Sequence, residues 1–214
     1  MKVLITGTSR GIGLACAKKY IEMGHEVIGL DISTSDFIHA NYTHIIADIT
    51  KNLPDISDIE ILINNAGIQE GGNEIDVNLK GTINVTEKYG IQKKIRSIVF
   101  MASSSASNGA EFPLYAASKG GVVTYMKNVA LRIAPFQATS NSISAGGVIT
   151  PLNQHILDDE NLYKKCLNET LLNKWAKDYE IADLTYYLTN INKSITGQDI
   201  LIDNGEQLKS NFIW

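Results

Sequence analysis

The first residues of the chain join a strand, a glycine turn and a helix in immediate succession, and this order narrows the possible folds most. Met1-Lys2-Val3-Leu4-Ile5 is a short apolar run of β type, and it turns at once into Thr6-Gly7-Thr8-Ser9-Arg10-Gly11-Ile12-Gly13. A helical pattern follows, with Ile12, Ala15, Cys16, Lys19 and Tyr20 leading to Gly24. Strand, glycine-rich turn and helix is the context that gives a glycine motif its meaning as a dinucleotide site. Gly7 permits the tight turn, Gly11 lets backbone approach a pyrophosphate, and Gly13 lets the helix pack close to the strand. Phosphates would then face unpaired N–H groups at the positive end of the helix. The spacing Gly-x-x-x-Gly-x-Gly departs from the generic Gly-x-Gly-x-x-Gly.

Further along, apolar runs alternate with helical stretches. Strands are expected at 2–6, 26–31, 43–47, 60–64, 95–101, 138–143 and 199–202, and helices at about 10–24, 74–90, 114–134 and 178–190. Runs such as Ile61-Leu62-Ile63 and Ile98-Val99-Phe100-Met101 suit strands buried on both faces of a parallel sheet. The alternation predicts an α/β fold, a Rossmann-type doubly wound parallel sheet flanked by helices, with ligands at the carboxyl ends of the strands. No repeat or linker divides residues 1–214, so a single domain is expected.

Tyr115-Ala116-Ala117-Ser118-Lys119 places a phenol and an ammonium four residues apart. On a helix, positions i and i+4 share one face, so the two side chains can converge. An ammonium about 4 Å from the hydroxyl, at an effective dielectric of about 20, favours the phenolate by about 4 kcal/mol before desolvation is counted. That moves a tyrosine toward the range useful for proton transfer near neutral pH.

Charge and cysteine content exclude several classes. The net charge of −4, from 19 basic and 23 acidic residues, supplies no basic stripe for nucleic acid. No apolar run approaches a membrane span. The first strand at residue 2 leaves no space for a signal peptide. Two cysteines, Cys16 and Cys166, are too few for a disulfide framework, so a cytoplasmic location is expected. His25, His39, His44 and His155 show no ligand spacing, so no metal is expected.

Together the motifs resemble the short-chain dehydrogenase/reductase family, in the branch of 3-oxoacyl-carrier-protein reductases and sugar or steroid alcohol dehydrogenases. The likeness rests on Gly7, Gly11 and Gly13, on Asn64-Asn65-Ala66-Gly67, on Asn78 in Val77-Asn78-Leu79, and on Tyr115 with Lys119. The segment Asn141 to Thr150 and the run from Thr196-Gly197-Gln198 to Asp203 extend it over nearly the whole chain.

The resemblance implies an NAD(P)-dependent oxidoreductase that interconverts a secondary alcohol and a ketone by hydride transfer. Tyr115 would be the general acid/base, Lys119 would lower its pKa and bind the nicotinamide ribose, and Asn78 would anchor a water in a proton relay. A helix-kink asparagine is the plainer alternative for Asn78. A serine would polarise the substrate oxygen; alignment selects Ser103, one residue nearer Tyr115 than usual, with Ser104 in reserve. Cofactor contacts are implied for Gly7, Ser9, Arg10, Gly11, Ile12, Gly13, Asp31, Asp48, Ile49, Asn65, Ala66, Gly67, Tyr115, Lys119, Gly146, Val148 and Thr150.

Asp31 at the end of the second strand would accept the ribose hydroxyls and repel a 2′-phosphate, favouring NAD. Arg10 pulls toward NADP, because a guanidinium there suits that phosphate; otherwise it is a solvated loop cation. Asp48 is expected either at the adenine or as a helix N-cap.

Residues 151–175 are expected to form a substrate flap, with Leu152, Ile156, Leu157, Tyr163, Leu167 and Leu171 as an apolar lid and Asp158, Asp159 and Glu160 as its solvated edge. A surface helical hairpin is the alternative. Glu111 and Phe112 are placed near the pocket, and the apolar tail Phe212-Ile213-Trp214 on a neighbouring subunit or on its own chain. The stretch Ile68 to Val77 is shorter than in relatives, trimming a contact surface. A homodimer or homotetramer built on the helix at 114–134 is still expected. Ala145 replaces a usual proline, and Asn204 a common glycine.

Two rival functions remain. One is an NADPH-dependent 3-oxoacyl-carrier-protein reductase, whose acidic carrier would need a basic patch from Lys93, Lys94, Arg96, Lys127 and Arg132. The other is a non-catalytic dinucleotide sensor.

Overall fold

The computed structural model describes residues 1–110 and 112–209. Strand β1 (Lys2–Thr6) leads into helix α1 (Gly11–Glu22), followed by β2 (Glu26–Asp31), β3 (Tyr42–Ile46) and β4 (Ile61–Asn64). A π-helical turn over Ile75–Gly81 continues as α2 (Thr82–Tyr89), and β5 (Ser97–Met101) leads to the short α3 (Ser105–Asn108). The long α4 (Pro113–Ile133) is followed by β6 (Thr139–Ala145), β7 (Val148–Ile149), α5 (Gln154–Leu157) and α6 (Glu160–Asn168). Then come β8 (Ala176–Lys177), α7 (Asp178–Tyr186), a second π turn over Tyr187–Ile191, and β9 (Asp199–Ile202).

Seven strands form one sheet in the order β3-β2-β1-β4-β5-β6-β9, and every pairing within it is parallel. The order reverses at β1, so the neighbouring β1 and β4 ends open a crevice at the switch point, where doubly wound sheets bind ligands. Side-chain alternation explains the two cores. Val3, Ile5, Ile61, Ile63 and Val99 face Cys16, Tyr20 and Ile181 on one side. Leu4, Leu62, Ile98 and Phe100 face Val85, Val122 and Met126 on the other. Helix α4 starts with Pro113 in its first turn, where the missing N–H costs no hydrogen bond.

The expected strands and helices are all present, with ends shifted by one or two residues at several places. Two helices differ in kind. The stretches expected as continuous helices at 74–90 and 178–190 each contain a π turn. Asn204 takes a left-handed conformation with φ 55°, as its place in a glycine position requires. Glu111 and the tail Phe212-Ile213-Trp214 lie outside the described residues. Among the described residues, no helix is long and apolar enough to cross a membrane.

Candidate active site

The carboxyl ends of β1, β2, β4, β5 and β6 open onto one cleft of about 1140 Å³. This lies slightly above the usual range of about 300–1,000 Å³ for small-molecule and cofactor sites. Sixteen of the expected site residues line it: Gly7, Arg10, Gly11, Ile12, Asp31, Asp48, Ile49, Asn65, Ala66, Gly67, Ser103, Tyr115, Lys119, Gly146, Val148 and Thr150. Ser104 also lines it, whereas Ser9, Gly13 and Asn78 stand behind the wall.

The first turn is held open from below. Asn65 donates from Nδ2 to the carbonyls of Thr6 and Gly7 at 3.0 and 3.1 Å. Thr6 Oγ1 accepts the backbone N–H groups of Asn65 and Ala66, both at 3.0 Å. Gly7 and Gly11 have φ of 75° and 57°, which a side chain would strain. A Cβ on Gly13 would strike the carbonyl of Gly7, so this glycine serves helix–strand packing rather than ligand contact. Arg10 precedes α1 without a side-chain capping bond, leaving the first helical N–H groups facing the cleft. A dinucleotide fits this cradle.

At the other end, Asp31 accepts the N–H of Ser9 on Oδ2 and of Ser33 on Oδ1, both at 2.9 Å. Each oxygen keeps a second lone pair for a hydroxyl. Ser9 therefore fixes Asp31. Asp48 caps no helix; its Oδ1 accepts Thr50 N and Thr50 Oγ1 at 2.8 and 2.7 Å, and those bonds hold its pKa below the usual carboxylate value. The N-cap alternative is thus corrected to a local turn.

Tyr115 and Lys119 stand one turn apart near the start of α4. The Lys119 Nζ lies 5.6 Å from the centroid of the Tyr115 ring. The amine is buried and donates to the carbonyl of Met101 at 2.8 Å, leaving two hydrogens for other acceptors. Burial lowers its pKa to about 8. Ser103 Oγ is paired with Ser105 Oγ at 2.9 Å and accepts the N–H of Ser105 at 3.2 Å.

The side chain of Asn78 is fully bonded within the protein. Its Oδ1 accepts Ile68 N at 2.8 Å, and its Nδ2 donates to Ile68 O at 2.8 Å and to Ser118 Oγ at 3.0 Å. Both amide hydrogens are used, and its place in the π turn fits the kink role. In this arrangement its amide side chain clamps Ile68 and Ser118 together. A Cβ on Gly67 would lie 3.1 Å from Asn78 Oδ1 and 3.4 Å from Lys119 Nζ, so the three residues converge closely at this glycine.

The expected flap folds as a 3₁₀ turn at Pro151–Asn153 followed by α5 and α6. Of the expected lid residues, only Leu152 and Ile156 line the cleft. Leu171 packs instead on Gly205. Asp158, Asp159 and Glu160 are exposed as expected, and Asp159 also N-caps α6, accepting from Asn161 N and Leu162 N at 3.0 and 2.9 Å. Phe112 is exposed and does not line the cleft. Sequence reasoning missed Trp175 and Glu169, which line the cleft without any local motif. Trp175 packs on Gly147, and Tyr163 meets its ring edge-on at 5.4 Å.

Cys16 is fully buried and its thiol is pushed up to about 12 by burial, so it packs. Among the described residues, no group of three His, Cys, Asp or Glu side chains is placed to hold a metal ion.

The family model described as enoyl-(acyl carrier protein) reductase matches residues 38–207. A crystal structure of a short chain dehydrogenase family protein from Francisella tularensis subsp. tularensis SCHU S4 superposes with a TM-score of 0.84, at 27% identity over 97% of this chain and 99% of that one. The chain belongs to the short-chain dehydrogenase/reductase family.

The short-chain dehydrogenase/reductases are NAD(P)-dependent oxidoreductases, and the reaction class implied by the sequence, acting on CH–OH donors, stands with that membership. The 3-oxoacyl-(acyl-carrier-protein) reductase FabG of Buchnera aphidicola subsp. Acyrthosiphon pisum is 29% identical, covering 94% of this chain and 95% of its own. A mutant 4-hydroxyisoleucine dehydrogenase complexed with NADH and succinate has a TM-score of 0.88 and 25% identity, covering 99% of this chain and 100% of its own.

Proposed function

We propose that this short-chain dehydrogenase/reductase interconverts a small secondary alcohol and its ketone, with NAD preferred over NADP. The observation that carries the reading is the Tyr115–Lys119 pair, set in one cleft with Ser103 and an open helix start. When bound, the nicotinamide supplies the hydride acceptor for oxidation, or the donor for reduction. The protein supplies the proton chemistry. The Tyr115 hydroxyl gives its proton to the carbonyl oxygen in reduction and takes one from the alcohol in oxidation. The Lys119 ammonium stabilises the phenolate between those events, and its two uncommitted hydrogens suit the nicotinamide ribose hydroxyls. Ser103 polarises the substrate oxygen, with Ser105 holding its hydroxyl in place. Ser104 remains the reserve.

Asp31 supports NAD, because its carboxylate is anchored at the cleft's far end and would face a 2′-phosphate with like charge. Arg10 lines the same cleft and keeps NADP open as the lesser reading. The expected partners are a small-molecule substrate and a second copy of the chain, as a homodimer or homotetramer built on α4, in the cytoplasm.

The carrier-protein reductase reading is the rival that a relative supports. Its basic patch fares poorly. Lys93, Lys94 and Arg96 precede β5, at the sheet end opposite the cleft. Lys94 pairs with Asp58, and Arg96 with Glu60 at 3.9 Å. Arg132 makes a two-pronged pair with Glu87 at 2.5 and 2.7 Å, about 25 Å along α4 from Tyr115. The flap meanwhile lines the cleft with Glu169. The intact Tyr115–Lys119 pair argues against a sensor without turnover.

The test is a screen of hydroxylated and keto compounds, acetoacetyl-carrier protein included, followed by nicotinamide absorbance with both cofactors. Turnover of a small alcohol with NAD is the expected result. NADPH-dependent turnover of the carrier thioester alone would replace this reading with the rival.

A further inference from the structure

Three strands away from the proton chemistry, a polar chain ties the phosphate turn to the ribose carboxylate. Ser9 Oγ donates to the carbonyl of Ser33 at 3.0 Å, and His44 Nε2 meets the same carbonyl at 2.8 Å. His44 Nδ1 lies 3.0 Å from the Tyr42 hydroxyl, which donates to Thr8 Oγ1 at 2.9 Å. Tyr42 and His44 are alternate residues of edge strand β3 and so share one face of it. Gly29 on the adjacent strand has no side chain, and a Cβ there would strike both Thr8 Oγ1 and the Tyr42 hydroxyl. Phe37 covers Tyr42 from outside, with ring centroids 5.1 Å apart.

Neither Tyr42 nor His44 lines the cleft. Yet the chain reaches both sides of it. Thr8 belongs to the glycine turn that cradles phosphates. Ser33 gives its N–H to Asp31, the residue that meets the ribose. A carbonyl only accepts, so His44 Nε2 must carry a hydrogen and hold Ser33 in place. Partial burial raises the Tyr42 pKa, so its hydroxyl stays a donor.

We infer that Tyr42 and His44 are positioning residues for the adenosine half of the cofactor, acting through Ser33 and Thr8 on Asp31 and the phosphate turn. The inference rests on the reading of the cleft as a dinucleotide site. It assigns part of the affinity for the adenosine end to two side chains that never touch it, on an edge strand where sheet formation alone does not require them.

The experiment titrates the full chain and its variants Tyr42→Phe, His44→Leu and His44→Gln with NADH, ADP-ribose and reduced nicotinamide mononucleotide, read by calorimetry and ligand fluorescence. Tyr42→Phe and His44→Leu are expected to weaken NADH and ADP-ribose about five- to tenfold, the effect of one lost hydrogen bond. Binding of the mononucleotide, which lacks the adenosine half, should stay within twofold. His44→Gln keeps an N–H where Nε2 stood and should restore ADP-ribose binding to within about twofold of wild type.

Unchanged ADP-ribose binding in Tyr42→Phe and His44→Leu would overturn the inference. So would an equal loss for the mononucleotide, or a glutamine variant as weak as leucine. Failure of the wild-type protein to bind NADH or ADP-ribose would instead remove the dinucleotide reading itself.

Discussion

Asn78 donates to Ser118 Oγ at 3.0 Å, and Ser118 in turn donates to the carbonyl of Tyr115 at 2.7 Å. The kinked helix and the helix of the tyrosine are therefore joined by one buried hydroxyl. Asn78→Ala leaves Ile68 N–H and C=O without their partner and should cost about 2–4 kcal/mol. Ser118→Ala removes one bridge and should cost about 1 kcal/mol. Urea unfolding of both variants checks the order. A larger loss for Ser118→Ala would show that the clamp at Ile68 is not the main anchor.

Tyr115→Phe keeps the ring and removes the proton. Turnover should drop by about 10²–10⁴-fold, the range for losing a general acid/base. NADH affinity should stay within a few-fold, because the cradle is built from other residues. Ser103→Ala should lower turnover strongly and Ser104→Ala mildly; the reverse order would transfer the polarising role to Ser104.

Lys119 should titrate near 8 in the cofactor-free protein, well below an ordinary lysine, because burial disfavours its charge. Its folded pKa lies below the unfolded value, so the unfolded chain binds the extra proton between about pH 8 and 10.5. Wild-type stability, compared with Lys119→Met, should therefore rise through that window, by a total on the order of 3 kcal/mol. Below pH 8 the methionine variant should equal or exceed wild type in stability while losing activity. Chemical denaturation at several pH values, with NMR titration of labelled lysine, measures both. A flat stability difference would contradict the burial effect.

Asp31→Asn should raise the Michaelis constant for NADH and shift the NADPH-to-NADH preference by about tenfold or more, since a like-charge clash disappears. Arg10→Ala should leave NADH use nearly intact and weaken whatever NADPH use exists. Steady-state kinetics with both cofactors decides; unaltered preference in Asp31→Asn would assign selectivity elsewhere.

Much of this arrangement was visible in the sequence, for physical reasons that differ by element. Runs such as Ile61-Leu62-Ile63 announce a twice-buried strand because burial on both faces demands apolar residues throughout. Tyr115 and Lys119 announce a shared face because their spacing is one helical turn. The π turn at Ile75–Gly81 was not legible, because α and π turns draw on the same residues and differ by where one hydrogen bond closes. Strands β7 and β8 are two residues each, too short for any period, and exist only through pairing of Val148 with Ala176 and Ile149 with Lys177. The ion pairs of the basic residues were not legible for a related reason. Lys94 and Arg132 read as available cations, but their partners Asp58 and Glu87 come from distant segments. Tyr42 and Thr8 are likewise far apart in the chain and meet only once the sheet forms.

The wide turn at Ile75–Gly81 also limits how this gene can vary in length. A π turn holds one residue more than the regular coil would, so losing any single residue there lets the helix close tightly. The flanking helix would keep its register, because the wide turn absorbs the lost residue, while the residues inside the turn would shift round the axis. Asn78 would leave Ile68, and the proton-transfer helix would lose its brace while the sheet stayed whole. Single-codon deletions in this stretch should yield folded, soluble protein without turnover.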